Sequence, residues 1–151
     1  MAVRALYRIK KTMDQIFKAE KDGVSDNERV HSLFSVDIVQ MAQAHIMYVV
    51  FKLFRQALED GAHHKIKCNG IKKNMTLLLR LFALYEMHNQ DNSTLYEAGY
   101  FAPGTAPVLL ESIKKLLVEL RPQMIPLIES WEFPDEILIS AIGNSYGDIY
   151  E

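Results

Sequence analysis

Cysteine is almost absent from this 151-residue chain. Cys68 stands alone, so no internal disulfide forms and a disulfide-built scaffold is excluded. Glycine and proline are sparse, at seven and five, which excludes collagen-like repeats and leaves long stretches without helix breakers. No run reaches the roughly 18 apolar residues of a membrane-crossing helix. Met41 to Phe51 comes closest and contains Gln43 and His45. Neither charge sign dominates: 17 Lys and Arg stand against 19 Asp and Glu, a net charge of −2, with no global pull toward nucleic acid or a lipid surface. The N-terminal stretch Met1 to Lys11 lacks the apolar block and cleavage site of a secretory signal and reads as mature structure.

What is present is ordinary globular material, 49% hydrophobic and 24% charged. That composition excludes disorder, and a chain of this length buries roughly 68–70% of its unfolded surface in one domain. Periodicity then gives helices. Leu6, Ile9, Met13, Ile16 and Phe17 recur at steps of three and four, with Arg4, Arg8, Lys11 and Lys18 mainly elsewhere on the wheel, which predicts one helix from Ala2 to Lys21 closed by Gly23. Ser25-Asp-Asn-Glu28 has the form of a capping box and opens a short helix to about Leu33. Ser35 is the expected N-cap of the strongest helix, whose stripe is Val39, Ala42, Ile46, Val49, Leu53 and Ala57, broadened by Ile38, Val50, Phe54 and Leu58, with Gly61 as its stop. Ile71, Met75, Leu78, Phe82 and Tyr85 mark another helix from about Lys65 to His88, weakened at Gly70.

Asp91 to Ala98 gives one or two turns ending at Gly99. Thr105 is expected to cap a helix carrying Leu109, Ile113, Leu116 and Leu120 on one face. Pro122 has no N–H and clashes one turn back, so this helix breaks near Arg121. An irregular helical segment to Trp131, a short helix after Pro134 and an extended tail from Gly143 complete the expectation. With no strand pattern and no repeat, the fold class is all-α: a bundle of about four main helices plus short helical segments, in a single domain over 1–151.

Charge is distributed unevenly along the chain. Residues 1–21 carry six Lys/Arg and two Asp/Glu, residues 62–80 carry five and none, and residues 81–151 carry three and eleven. Complementary packing of a basic front half on an acidic back half is the favoured account, ahead of contact with an acidic partner, a nucleotide or another subunit.

Catalytic constellations are missing. Glu28 and His31 have the i, i+3 spacing of di-metal bundles, but such a site needs two of these motifs and two more Glu, so a capping acid beside an exposed His is preferred. His63, His64 and Cys68 have no second ligand pair at metal-finger spacing. His45 beside the apolar stripe reads as a hydrogen-bonded core or interface residue rather than a general acid. Lys65, Lys67, Lys72, Lys73 and Arg80 are only weakly interleaved with aromatics, so no nucleic-acid partner is expected. No catalytic, cofactor-binding or metal-ligating residue is assigned.

Two stretches nevertheless carry a resemblance. Ser35-Val-Asp-Ile-Val39, then Ala44-His45, Tyr48-Val-Val50 and Lys52-Leu-Phe54, resembles a segment near the end of the FAD-dependent peroxisomal acyl-CoA oxidases. Arg121-Pro122, Leu127-Ile-Glu129, Phe133-Pro-Asp135, Ser140-Ala-Ile-Gly143 and Tyr146-Gly-Asp-Ile-Tyr-Glu151 resemble that family's closing segment, in the same order. The likeness covers nearly the whole chain but only the last quarter of a family member. Two departures stand out: Tyr146-Gly147-Asp148 replaces the usual Tyr-Asp-Gly order, and Gly23 interrupts what is usually a longer first helix.

The resemblance implies the C-terminal structural and dimer-contact domain of a larger flavoenzyme. There, acyl-CoA becomes trans-2-enoyl-CoA in the first step of peroxisomal fatty-acid β-oxidation, and FAD passes electrons to O₂ to give H₂O₂. The family's catalytic Glu and most of its flavin contacts lie in preceding domains, so the isolated chain is expected to be inactive and FAD to belong to the parent. Glu97, Glu111 and Glu129 remain surface or interface candidates. The expected partners are the preceding oxidase domains and a second subunit in a homodimer, with no nucleic acid and no membrane. The chain ends Asp148-Ile-Tyr-Glu151 rather than in a Ser-Lys-Leu-type peroxisomal signal, which reads as a fragment or as targeting supplied elsewhere. The alternative is a stand-alone helical interaction module without enzymatic activity. Phe17, Phe54, Tyr100, Phe101, Trp131 and Phe133 are candidates for an exposed apolar patch, or equally for the core.

Overall fold

The computed structural model describes residues 1–59, 66–90, 92–134 and 137. They are mainly helical, without a strand among them: α1 (Ala2–Lys21), α2 (Asp26–Glu28), α3 (Ser35–Glu59), α4 (Asn69–Asn89), α5 (Asn92–Glu97), α6 (Thr105–Leu120) and α7 (Met124–Glu129). The four long helices are the expected main ones. α3 packs on α1 and on α4, and α4 packs on α6, while short α5 links α1 to α4. The layers therefore take the order α1, α3, α4, α6, with α4 flanked by α3 on one side and α6 on the other.

Local chemistry sets the boundaries. α1 ends where Gly23 takes a φ of 84°, open only to a residue without Cβ strain, and its N–H and that of Val24 reach back to the Glu20 and Ala19 carbonyls at 3.0 Å. Ser25 Oγ accepts from the Glu28 N–H at 3.3 Å, as the capping box requires. The next segment differs from a plain short helix: Arg29–Leu33 is a π turn, closed by the Phe34 N–H on the Arg29 carbonyl at 3.0 Å. Arg29 is the physical reason. Its buried guanidinium donates to the Val24 carbonyl at 2.8 Å and pairs with Asp26, pinning the corner while the chain turns by 74° into α3.

Three start points shift by a few residues. Ser35 and Thr105 are the first residues of their helices rather than caps, because the Phe34 carbonyl already receives the Ile38 N–H and Gly104, at φ 87°, holds the cap position before α6. The Thr105 hydroxyl donates backwards to Ala102 at 2.7 Å. α4 begins at Asn69, with Cys68 as its cap. Pro122 does break α6, and Arg121–Gln123 forms a single 3₁₀ turn before α7. The expected stop at Gly61, the helix after Pro134 and the tail from Gly143 lie outside the described residues.

The core is small. Leu95 is fully buried, and Ala5, Ala44, Leu77, Leu79, Leu109, Ile113 and Leu120 join it among the described residues. α5 is the hinge of this core. The Tyr96 ring meets Phe101 edge-on at 5.5 Å, and its hydroxyl accepts from the Ala106 N–H at 3.2 Å, tying α5 to the start of α6. The favoured account of the charge asymmetry agrees with three ion pairs that run from the basic front to the acidic back: Arg4–Glu86 at 3.6 Å, Lys11–Glu97 at 2.7 Å and Lys73–Glu119 at 3.4 Å.

Candidate interaction surface

Most of the stripe expected to be the heart of α3 faces outward, and Val36 extends it. Val36, Val39, Ile46, Val50 and Leu53 are between 43% and 65% exposed, with Gln43 and Ala57 continuing the line at the same steps of three and four. The inward side is apolar as well: Ala44 is buried, and Met41, Met47, Tyr48, Phe51, Phe54 and Leu58 are half-buried toward the neighbouring helices. A helix that is apolar all round is normally buried on all sides. Alternation of steps cannot show which of two apolar stripes packs against its own domain, so the expected stripe straddles both: Ala42, Val50 and Ala57 are exposed with Val39, Ile46 and Leu53, while Ile38, Val49, Phe54 and Leu58 are half-buried.

A second apolar field lies at the far end of the layer. Val118, Ile125, Ile128, Trp131 and Phe133 are each more than half exposed, and the Trp131 and Phe133 rings stack at 6.1 Å, nearly parallel. Of the six aromatic patch candidates, Phe17, Tyr100, Trp131 and Phe133 are exposed, whereas Phe54 and Phe101 are half-buried. On α4 the expected stripe splits: Ile71 and Tyr85 are exposed, and Leu77 and Leu79 are the buried positions instead.

The polar candidates scatter. His31 and Glu28 are exposed, His45 is exposed on α3 rather than in a core, and the described residues contain no group of three potential metal ligands. His63, His64 and Lys65 lie outside the described residues, while Lys67, Lys72, Lys73 and Arg80 are exposed. Glu97 is held by Lys11, Glu111 pairs with Lys114 at 2.8 Å, and Glu129 is exposed at the end of α7.

Arg4 is the residue that wheel reasoning misses. Placed by its spacing on a polar face, it is 2% exposed and donates Nη1 to the Glu86 and Gln90 carbonyls, at 2.9 and 2.5 Å, at the C-terminal end of α4. A cation at a helix C-terminus offsets the negative end of the backbone dipole; here it adds a second donor to the Glu86 carbonyl, which already receives the Gln90 N–H at 3.1 Å, and serves the Gln90 carbonyl beyond the last helical turn. Its own Nε has no partner.

The Cys68 thiol is shifted toward its anion. At the start of α4, the N–H groups of Ile71 and then Gly70 hold its thiol below the usual cysteine value by stabilising the thiolate, and the site is exposed. Alkylation by iodoacetamide should therefore reach half its maximal rate at a lower pH than free cysteine does. A midpoint at or above that of free cysteine rules the helix-start effect out.

Among the described residues, no single helix is long and apolar enough to cross a bilayer. No solved structure matches the chain. The acyl-CoA oxidase family profile matches residues 1–151. Peroxisomal acyl-coenzyme A oxidase 1 of Phascolarctos cinereus is 31% identical over 134 residues, covering 89% of this chain and 19% of the relative. The Homo sapiens protein of the same name is 29% identical over 80% of this chain and 17% of its own length. Putative peroxisomal acyl-coenzyme A oxidase 1.2 of Arabidopsis thaliana is 26% identical over 83% of this chain and 18% of its own length. The chain thus spans about a fifth of the length of these relatives. A profile match from the first residue to the last, on an all-helical layer, places this chain in the acyl-CoA oxidase family.

Proposed function

We propose that this chain is the C-terminal helical domain of an acyl-CoA oxidase, a single unit that supplies docking surface to the preceding oxidase domains and to a second subunit. The outward apolar stripe of α3 carries this reading, since exposed apolar surface of that kind marks an interface in proteins that work as assemblies. In the whole enzyme, oxidation of acyl-CoA to trans-2-enoyl-CoA with H₂O₂ production takes place outside this domain. The peroxisomal location in the relatives' names extends to the parent of this chain by the same reading.

FAD is the cofactor such chemistry implies, and it needs a flat apolar slot with donors for a pyrophosphate. Three cavities among the described residues can be set against that demand. One is an open groove over α4, one is a 230 Å³ recess lined by Arg4, Ala44 and the amides of Gln40, Gln43 and Gln90, and one is a dip along α1 at Phe17 and Lys18. None joins a ring slot to a set of backbone donors, so they do not fit the flavin. No flavin step is assigned to these residues.

The test is light scattering after size exclusion on the purified chain, with and without an oxidase core lacking this domain, followed by a peroxide assay with acyl-CoA and FAD. A complex that regains acyl-CoA-dependent H₂O₂ supports the docking-domain reading. A stable monomer that ignores the core moves the reading to a stand-alone interaction module. Peroxide from the chain alone overturns both.

A further inference from the structure

We propose that the groove over α4, between α3 and α6, binds a free single-chain carboxylate: an unbranched apolar tail along the groove and an anionic head at its mouth. The groove encloses about 530 Å³, within the range of small-molecule sites. Its floor is apolar, built from Phe51 of α3, Leu79, Ala83 and Leu84 of α4, and Leu116 of α6, all buried or half-buried. Its rim is cationic. Arg55, Arg80 and Lys115 are exposed there against one acid, Glu59. Arg55 is taken by Glu59 at 2.8 Å; Arg80 on α4 and Lys115 on α6 make no ion pair within 4 Å among the described residues, and Glu111, which interacts with Lys115 at longer range, is itself paired with Lys114 at 2.8 Å.

The hydroxyls on the wall narrow the chemistry of the head. Thr76 already donates to the Lys72 carbonyl at 2.7 Å, and Ser112 to the Val108 carbonyl at 2.8 Å. Their protons are spent, so the free donors at the mouth are the two cations, and these favour a charged acceptor over a neutral alcohol or amide. The groove has room for a single extended hydrocarbon chain along its apolar floor. The inference is independent of the docking role, because it uses neither the α3 outer stripe nor the α7 end.

The experiment is calorimetric titration of the full 151-residue chain with octanoate, decanoate and decanol, each kept below its micelle or solubility limit. Saturable binding of one decanoate is expected, about fifteenfold tighter than octanoate because each of the two added methylenes contributes about fourfold. Decanol should bind at least tenfold more weakly than decanoate. Arg80→Glu with Lys115→Glu should weaken decanoate at least tenfold at unchanged helicity, since both side chains are exposed. Ser112→Trp, which fills the wall from its rim, should remove binding even if the charge variants fold poorly. Equal affinity for decanol, insensitivity to both variants, or no saturation overturns the proposal. So does a helix as the true occupant, which would show as lost binding to the oxidase core in the charge variants with no decanoate binding in the parent chain.

Discussion

A chain carrying Ile46→Lys and Leu53→Lys keeps its helicity and melting temperature and loses at least a hundredfold in affinity for an oxidase core that lacks this domain. Both side chains are more than half exposed on the outer stripe of α3, so in the free chain each lysine reaches water and costs within about 0.5 kcal/mol. In a docked complex the same positions lie under a partner. A buried unpaired ammonium costs several kcal/mol, and truncated hot spots alone reach about 2 kcal/mol each, close to thirtyfold per site. Val118→Lys, on the outer side of α6, serves as the comparison. If it abolishes association while the α3 pair does not, the docking face is the α6–α7 end instead.

The same helix separates what residues reveal on their own from what they do not. Helix positions come from steps of three and four and from Gly23, Gly99 and Pro122, because these signals act within one or two turns of chain. The direction in which α3 faces does not, because both sides of it are apolar and the choice depends on which neighbours exist. Val39, Ile46 and Leu53 are natural core candidates for a domain that has to bury everything itself. Their exposure is the observation on which the proposed docking role rests. The π turn at Arg29–Leu33 is equally hidden, since it depends on where a buried guanidinium finds the Val24 carbonyl and not on the helix propensity of the segment.

Charge tells more in sum than residue by residue. The basic front and acidic back do meet, but the pairs differ greatly in worth. Lys11–Glu97 is the shortest of the three at 2.7 Å, with both side chains at least 40% exposed, and the hydrogen bond that the ammonium donates to Glu97 holds the lysine above its usual value. Water and salt screen such a pair, so Lys11→Met should move stability by no more than about 1 kcal/mol. Arg4–Glu86 is longer at 3.6 Å, yet the arginine is almost inaccessible. Burial, not distance, decides which one matters.

Arg4→Met should therefore lower the melting temperature by about 6–12 °C. The substitution keeps the apolar stem and removes the guanidinium that serves the Glu86 and Gln90 carbonyls and stands beside the Glu86 carboxylate, whose side chain is only 13% exposed. Leaving a largely buried carboxylate without its partner and the Gln90 carbonyl without its donor costs about 3 kcal/mol, and a chain of this size loses about 2–4 °C for each. Arg4→Lys tests the geometry separately from the charge. One ammonium cannot span two carbonyls and a carboxylate as a planar fork does, so it should recover less than half of the loss. Amide exchange should localise the effect, with faster exchange in the last turn of α4 and in α5 than in α6. A melting temperature within about 2 °C of the parent for Arg4→Met, or full recovery by lysine, would show that the end of α4 is held by its packing on α3 and α5 rather than by this arginine.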